Sequence, residues 1–234
     1  MYNKHEEDRA MSKMHKEKIT CPKCGKVHEF TAWDSVNTQL DPEFKEKARN
    51  GELFRFVCPD CSAEVNVMYQ CLYHQMEDDV MIYFIPNGPV DEAVRVFKRP
   101  MPEGFPQVDM NITKRVVTTL NDFKEKLKIL DEGLDDRVIE IMKFALRGAM
   151  SVREPDRQIT NMYLDKAPDI GRYFYVIIKD GEPAALQYDQ RLYDQVANDF
   201  KAIFDADKEV IIDQNWAMQC MEKRHDEIEK GAKS

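Results

Sequence analysis

The sequence lacks any run of eighteen apolar residues, which is the length that a helix needs to cross the core of a bilayer. We therefore predict no transmembrane helix and no membrane partner. Residues 1–18 also lack the apolar stretch of a secretory signal, because charged side chains recur throughout them. Without such a signal, six cysteines in a chain of 234 residues favour a reducing cytoplasm over a disulfide-linked scaffold.

The short motifs typical of common enzyme classes are absent as well. The chain has no glycine-rich phosphate loop, no Gly-X-Ser-X-Gly elbow and no His-Glu-X-X-His pair, and no internal repeat is visible. A cysteine and a histidine acting together as a nucleophile are left open, because such partners lie far apart in a sequence. The sequence therefore indicates no reaction class.

The balance of charge is acidic, with a formal net charge of −9 at pH 7. Residues 19–110 alone carry nine Lys and Arg against fifteen Asp and Glu. An acidic surface repels a phosphate backbone unless its basic residues cluster in space. The charge thus disfavours nucleic acid as the partner.

The most specific chemical signal is a repeated Cys-Pro-X-Cys motif, at Cys21, Cys24 and again at Cys58, Cys61. Two cysteines separated by two residues fit on one tight turn, so that both sulfur atoms reach the same ion. A structural zinc site takes four ligands in a tetrahedron and favours thiolate sulfur. We therefore predict that Cys21, Cys24, Cys58 and Cys61 bind one structural Zn²⁺.

Local features support this prediction over a redox or disulfide role. Gly25 follows the first motif, where such a turn commonly needs a positive φ, whereas Ser62 stands at the equivalent place in the second. A redox motif explains one cysteine pair but not two matched ones. The remaining thiols, Cys71 and Cys220, lie among apolar residues and are predicted to pack in the core.

The long spacer between the motifs contains a well-delimited helix. Asp41 suits the N-cap, Pro42 the first helical position and Gly51 the position after the end. Residues 63–75 then alternate as one strand, residues 80–85 form a buried strand, and residues 86–111 form a linker or long loop. We predict that the helix is inserted between two hairpins that carry the cysteines.

The rest of the chain combines helices with a few strands. Helices are predicted at residues 121–131, 136–146, 191–204 and 216–229, and strands at 158–164, 173–178, 184–188 and 209–213. The overall prediction is an α+β fold: a zinc-ribbon-like antiparallel β unit with an inserted helix, followed by helices and a small antiparallel α+β part. The predicted divisions are a disordered tail (1–18), the zinc-ribbon-like core (19–110), its helical part (111–150) and the C-terminal α+β part (151–234).

Several stretches together resemble the bacterial CpXC domain, which is named after its two Cys-Pro-X-Cys motifs. The resemblance rests on residues 21–25, 41–43, 51–54, 58–61, 72–74, 81–82 and 127–140. It covers roughly residues 19–147 and implies metal binding in a small zinc-ribbon-like unit. The family has no assigned biochemical activity, so the resemblance implies no catalytic residue.

These observations leave three candidate functions. A four-cysteine site leaves no position for substrate, so the leading hypothesis is a zinc-stabilised module that binds another protein or regulates it. The alternative is a nucleic-acid-binding zinc ribbon, whose candidate contacts near the motifs are Lys23, Lys26, Lys45, Lys47, Arg49, Arg55 and Trp33. The third is an enzyme with a site away from the zinc, formed by His74 and the turn Glu77, Asp78, Asp79. A solvated hairpin tip is the favoured interpretation of that turn.

Overall fold

The computed structural model describes residues 12–99 and 112–231, and it shows an α+β fold. The chain divides into two compact units, Met1–Lys124 and Glu125–Ser234. Within the described residues, no helix is both long and apolar enough to cross a membrane.

The first unit is built around a mixed sheet. Its elements in chain order are β1 (Lys13–Thr20), β2 (Val27–Asn37), α1 (Glu43–Asn50), a 3₁₀ turn (Glu52–Phe54), β3 (Arg55–Val57), β4 (Glu64–Asn66), β5 (Cys71–Gln75), a second 3₁₀ turn (Met76–Asp78), β6 (Val80–Phe84), α2 (Val90–Lys98) and β7 (Thr113–Val117). Five strands form one sheet in the order β1-β2-β5-β6-β7, and β3 pairs with β4 in a separate hairpin. The hairpins β1–β2 and β3–β4, which carry the cysteines, are antiparallel as predicted, whereas the pairs β2–β5 and β6–β7 are parallel, so the five-stranded sheet is mixed.

Aromatic side chains make up much of the core of this unit. Phe54, from the 3₁₀ turn before β3, lies 4.9 Å from Phe84 of β6 between ring centroids and 5.7 Å from Phe123. Tyr73 of β5 packs on the same Phe123 edge to face, with 5.8 Å between centroids. All four side chains are fully buried. Edge-to-face contacts of this kind add about 0.5–1.5 kcal/mol to the burial of each ring pair.

The inserted helix α1 is confirmed, with its start one residue later than the sequence suggested. Gly51 ends it with a φ of 84°, and its N–H donates to the Ala48 carbonyl. Pro42, not Asp41, stands at the N-cap, and no side chain caps the first turn. The helix buries Phe44 and Ala48, which lie four residues apart on one face.

Other expectations for the first unit need correction. Residues 13–18, predicted as part of a disordered tail, belong to β1, which pairs with β2 along its whole length. This strand is almost entirely exposed, and backbone pairing, not apolar burial, holds it in place. Residues 63–75 form two strands in different sheets instead of one. The predicted linker 86–111 contains α2, and its residues 100–111 lie outside the described residues, as do residues 1–11 of the predicted tail.

The second unit packs helices on a three-stranded antiparallel sheet. The division falls inside α3 (Leu120–Asp131), and the following elements are α4 (Asp136–Arg153), β8 (Ile159–Ala167), β9 (Gly171–Ile178), β10 (Ala184–Gln187), α5 (Gln190–Asp199), α6 (Lys201–Ala206) and α7 (Gln214–Gly231). Strand β9 lies between β10 and β8. Asp135 caps α4 by accepting from the Arg137 N–H, and Asp189 caps α5 by accepting from the N–H groups of Arg191 and Leu192.

Three details of the second unit differ from the sequence prediction. The helix expected over residues 191–204 is divided at Phe200 into α5 and α6. Residues 209–213, predicted as a strand, have no strand partner and lead directly into α7. Helix α4 continues to Arg153, beyond the predicted end at residue 146.

Charged side chains form part of the interior of the second unit. The Lys143 ammonium lies 2.9 Å from Glu125 Oε2 and 2.9 Å from Glu140 Oε2. The backbone N–H of Leu164 donates to the other Glu125 oxygen at 2.6 Å. A second pair, Lys126 with Asp136, is equally buried at 2.8 Å. Buried charges persist only where they are paired in this way.

Candidate metal centre

Both cysteine pairs lie in hairpin loops, as the sequence predicted. Cys21 and Cys24 occupy the loop between β1 and β2, whose strands pair antiparallel up to Thr20 and Val27. Cys58 and Cys61 occupy the loop between β3 and β4, which pair antiparallel up to Val57 and Glu64. The inserted α1 lies between the two hairpins in the sequence, and this explains the long spacer.

The two loops have the same backbone geometry. In the first, the N–H of Cys21 donates to the Lys26 carbonyl and the N–H of Gly25 donates to the Cys21 carbonyl, both at 2.9 Å. In the second loop, Cys58, Ser62 and Ala63 make the equivalent two bonds, also at 2.9 Å. Such closed loops hold both sulfur atoms of a pair on one side of the turn.

A left-handed residue completes each loop. Gly25 has a φ of 73° and Ser62 a φ of 54°. Glycine adopts this conformation without steric cost, whereas a residue with a Cβ is strained by about 1–2 kcal/mol. The second loop keeps the geometry of the first although it has no glycine there.

The four sulfur atoms converge on one point. The Sγ atoms of Cys21 and Cys61 lie 3.6 Å apart, and those of Cys24 and Cys58 also lie 3.6 Å apart. All four Sγ atoms lie within 4.8 Å of one another. A tetrahedron with metal–sulfur bonds of about 2.3 Å has sulfur–sulfur edges of about 3.8 Å. The arrangement is therefore the right size to hold a single metal ion.

The thiols influence one another's ionisation. A backbone N–H at Cys24 lowers the pKa of Cys21 to about 6, with smaller help from Lys23. Hydrogen bonding from Ala63 would lower the pKa of Cys61, but burial and the three neighbouring thiols outweigh it and raise that pKa to about 12. Cys21 therefore loses its proton readily, whereas Cys61 resists ionisation. A bound cation removes this obstacle, because metal ligation deprotonates the thiol.

A chain of polar contacts extends outward from Cys58. His28 Nε2 lies 3.5 Å from Cys58 Sγ and 3.2 Å from Asp60 Oδ2, and the other Asp60 oxygen accepts from Lys26 Nζ at 2.5 Å. His28, Cys58 and Asp60 also lie close enough together to share an ion. The sequence interpretation of His28 as a bystander or supporting residue fits its place beside the sulfur cluster. Its signal in the sequence was only its nearness to the first motif.

The remaining cysteines are not members of this cluster. Cys71 of β5 is fully buried, and burial raises the pKa of its thiol to about 12. Cys220 of α7 is buried in the second unit, where burial raises its pKa to about 11. Thiols of this kind are protonated at neutral pH and pack as small apolar groups.

The carboxylates of the proposed enzymatic turn are engaged in structural contacts. Lys45 Nζ lies 3.2 Å from Glu77 and 3.0 Å from Asp78, and Thr38 donates to Glu77 at 2.8 Å. Among residues 12–99 and 112–231, His74 is not part of any group that could hold a metal, and its buried Nε2 has no hydrogen-bond partner. Among the described residues, His74 and these carboxylates therefore do not form a metal-binding group.

Most of the basic residues near the motifs are neutralised locally. Lys26 pairs with Asp60, Arg49 lies 3.6 Å from Glu46, and Arg55 lies 3.2 Å from Glu52. Lys45 is held by Glu77 and Asp78, as described above. The ring of Trp33 packs against Phe44 with 4.3 Å between centroids, and Lys47 lies 4.7 Å from the centre of the same Phe44 ring.

The chain is therefore an α+β protein with two cysteine loops, and the four sulfur atoms of these loops could hold one metal ion. The sequence profile of the family described as CpXC protein matches residues 19–143, more than half of the chain. The chain belongs to the CpXC family. No match was found among curated proteins or among solved structures.

Proposed function

We propose that Cys21, Cys24, Cys58 and Cys61 bind one Zn²⁺ as a closed structural site, and that the protein functions as a zinc-stabilised module that binds another protein. The observation that carries this proposal is the convergence of the four Sγ atoms, at 3.6 Å in two pairs. Four thiolates fill the coordination sphere of zinc and leave no position for water or substrate. The metal then contributes to folding instead of catalysis.

The choice of zinc rests on the donor set. Four sulfur donors in a tetrahedral arrangement are typical of zinc or of an iron–sulfur centre. Pairs of Cys-X-X-Cys loops joined by hydrogen-bonded turns are characteristic of the structural zinc class. His28 beside Cys58 supports this, because a ring N–H near a thiolate offsets part of the charge that four sulfur ligands place on the ion.

The direct test is metal analysis of the full chain. We expect one zinc per chain, and we expect Cys24→Ser and Cys61→Ser to lose it. Cys220→Ser is the matched control, because it removes a thiol from the second unit and should keep the zinc. Iron in place of zinc, or full zinc content in both motif variants, would contradict the proposed site.

Removing the metal should have a local effect on folding. We expect chelation to unfold residues 19–85 while the C-terminal α+β part stays folded, because the zinc joins two hairpins that are 34 to 40 residues apart in the sequence. Limited proteolysis followed by mass spectrometry locates the new cleavage sites. Unchanged circular dichroism and an unchanged cleavage pattern in the first half would contradict a structural role.

A protein partner is favoured over nucleic acid by the pairing of basic residues. Lys26, Lys45 and Arg55 each contact carboxylates, and the net charge of −9 adds long-range repulsion. We expect no mobility shift with DNA or RNA even at low salt. A salt-dependent shift would favour the nucleic-acid alternative instead. A partner protein should bind the zinc-loaded chain and dissociate from Cys24→Ser.

A further inference from the structure

A cavity of about 450 Å³ lies in the first unit between α2 and the neighbouring strands, and we name it the α2 cavity. Leu72, Tyr83 and Ile85 line it from β5 and from the end of β6. Ala93 and Phe97 line it from α2. Its volume falls within the range of sites that bind small organic molecules.

The α2 cavity has aromatic and aliphatic walls. The rings of Tyr83 and Phe97 face each other with 6.0 Å between centroids and are inclined by 39°. Phe97 and Ile85 are buried, so these walls are fixed by packing. A Cβ at Gly88 would collide with the Gln70 amide and with Ile85, so the backbone at Gly88 packs closely against these two lining residues. A rigid apolar wall suits the hydrophobic body of a ligand.

The charged groups at the α2 cavity are all acidic. Asp34 and Glu92 contribute carboxylates from β2 and from the first turn of α2, and no Lys, Arg or His among the described residues lines the cavity. Asp34 Oδ1 is paired with His15 Nδ1 at 3.0 Å. Glu92 has no ion-pair partner among residues 12–99 and 112–231. An unpaired carboxylate beside an aromatic wall attracts a cation both by charge and by the electron density of the rings.

We propose that the α2 cavity binds a small organic cation, in which an amine is carried on an aromatic or other apolar body. The amine lies against Glu92 and the apolar body packs against Tyr83 and Phe97. The four cysteines do not line this cavity, but Leu72 and Tyr83 lie within residues 19–85, so the binding tests use the zinc-loaded chain.

A matched series of probes tests the role of charge. Phenethylamine, 2-phenylethanol and phenylacetate share one ring and differ in carrying a positive, a neutral or a negative group. In ¹⁵N-resolved NMR titrations of the full chain, we expect phenethylamine to shift the amide signals of Leu72, Tyr83 and Ala93, with a Kd of about 1 mM for a probe of this size. We expect 2-phenylethanol to bind about fivefold more weakly and phenylacetate to bind more weakly still.

Glu92→Gln and Asp91→Asn distinguish the proposed contact from a general effect of acidic charge on α2. Glu92→Gln should weaken phenethylamine binding about fivefold and leave 2-phenylethanol binding unchanged. Asp91→Asn removes the same charge from the adjacent residue, which does not line the cavity, and should change neither affinity. Val96→Trp, at a half-exposed position on the rim, should weaken all three probes by obstructing the cavity.

Several outcomes would overturn the proposal. Equal affinity for the amine and the alcohol, equal effects of Glu92→Gln and Asp91→Asn, or no shifts from any probe at about 10 mM, tenfold above the expected Kd, would each do so. If the amide signals of the cavity residues shift when only the protein concentration is changed, a second copy of the chain occupies the cavity and the proposal is wrong. Shifts confined to residues outside the cavity would likewise refute the assignment.

Discussion

Replacing Lys143 with Met should be among the most destabilising single substitutions in the second unit. The Lys143 side chain is 7% exposed, and it pairs at 2.9 Å with both Glu125 (3%) and Glu140 (9%). Methionine fills a similar volume but removes the ammonium that contacts both buried carboxylates. Removing one partner of a buried ion pair costs about 3–5 kcal/mol, so we expect a loss of that size.

The electrostatics of the site support this magnitude. Burial by itself lowers the pKa of Lys143, but the carboxylates of Glu125 and Glu140 outweigh burial and raise that pKa above its usual value. The ammonium is therefore fully charged at neutral pH and cannot relieve the site by losing its proton. Glu125 also accepts a hydrogen bond from the backbone N–H of Leu164 in β8. Removing the Lys143 ammonium should therefore also disturb the packing of β8.

Urea unfolding followed by the fluorescence of Trp216 measures the effect on this unit. Trp216 is buried in the second unit, and a Trp33→Phe background removes the only other tryptophan of the sequence. Lys201→Met is the matched control, because the Lys201–Asp205 pair is formed at 2.6 Å on an exposed helix face. An exposed pair contributes about 0.5 kcal/mol or less, so the control should be nearly neutral.

A further variant distinguishes lost charge pairing from lost packing. Combining Lys143→Met with Glu125→Gln and Glu140→Gln removes the uncompensated charges, while the amide oxygen introduced in place of the Glu125 carboxylate can still accept from the Leu164 N–H. We expect this combination to recover at least half of the loss, because neutral replacements of buried ion pairs are often tolerated. A cost below about 1 kcal/mol for Lys143→Met, or no recovery in the combined variant, would refute the reasoning.

Three further predictions concern single residues. Gly25→Ala should lower the free energy of unfolding in urea by about 1 kcal/mol through backbone strain alone, since no atom lies within 4 Å of the added Cβ. Gly148→Ala, within α4, is the control and should stabilise the protein by about 0.5–1 kcal/mol. Equal effects of the two substitutions would contradict this prediction. His28→Gln should weaken zinc binding about 10- to 100-fold in competition with a chromophoric chelator, whereas His15→Gln should not; unchanged affinity would count against the role of His28. Burial lowers the pKa of His74, so the stability of the protein should fall as the pH decreases below 6.5, the pKa of histidine in the unfolded chain. In urea unfolding between about pH 5 and 7.5, His74→Gln should make stability depend less steeply on pH. Parallel pH profiles of the two proteins would contradict this prediction.

The cluster of four cysteines could be predicted from the sequence because the information that forms each cysteine loop is local. Each Cys-Pro-X-Cys motif forms its own turn, and the same is true of the helix between Pro42 and Gly51. The convergence of the two motifs then follows from the number and type of ligands that a metal needs. Even the left-handed residue after each motif was indicated by Gly25, although Ser62 shows that glycine is not required there.

The pairing of strands was less accessible, because it depends on partners far along the chain. Strand β1 is exposed and charged, and no apolar pattern marks it; only its backbone bonds to β2 define it. The parallel pairs β2–β5 and β6–β7 join residues separated by intervening elements, so short-range alternation could not indicate them. Likewise, Glu125, Glu140 and Lys143 look like ordinary surface residues of helices until the fold places them inside.

The position of the two cysteine loops along the chain has a consequence for synthesis. The first loop, between β1 and β2, needs only local residues, whereas its partner sulfurs come from Cys58 and Cys61. At about 5–20 residues per second, the ribosome completes the second pair about 2–7 s after the first. During this interval a nascent chain presents two thiols without their partners. We therefore expect the supply of metal and of reducing agents in those seconds to affect how much of the protein reaches its folded form.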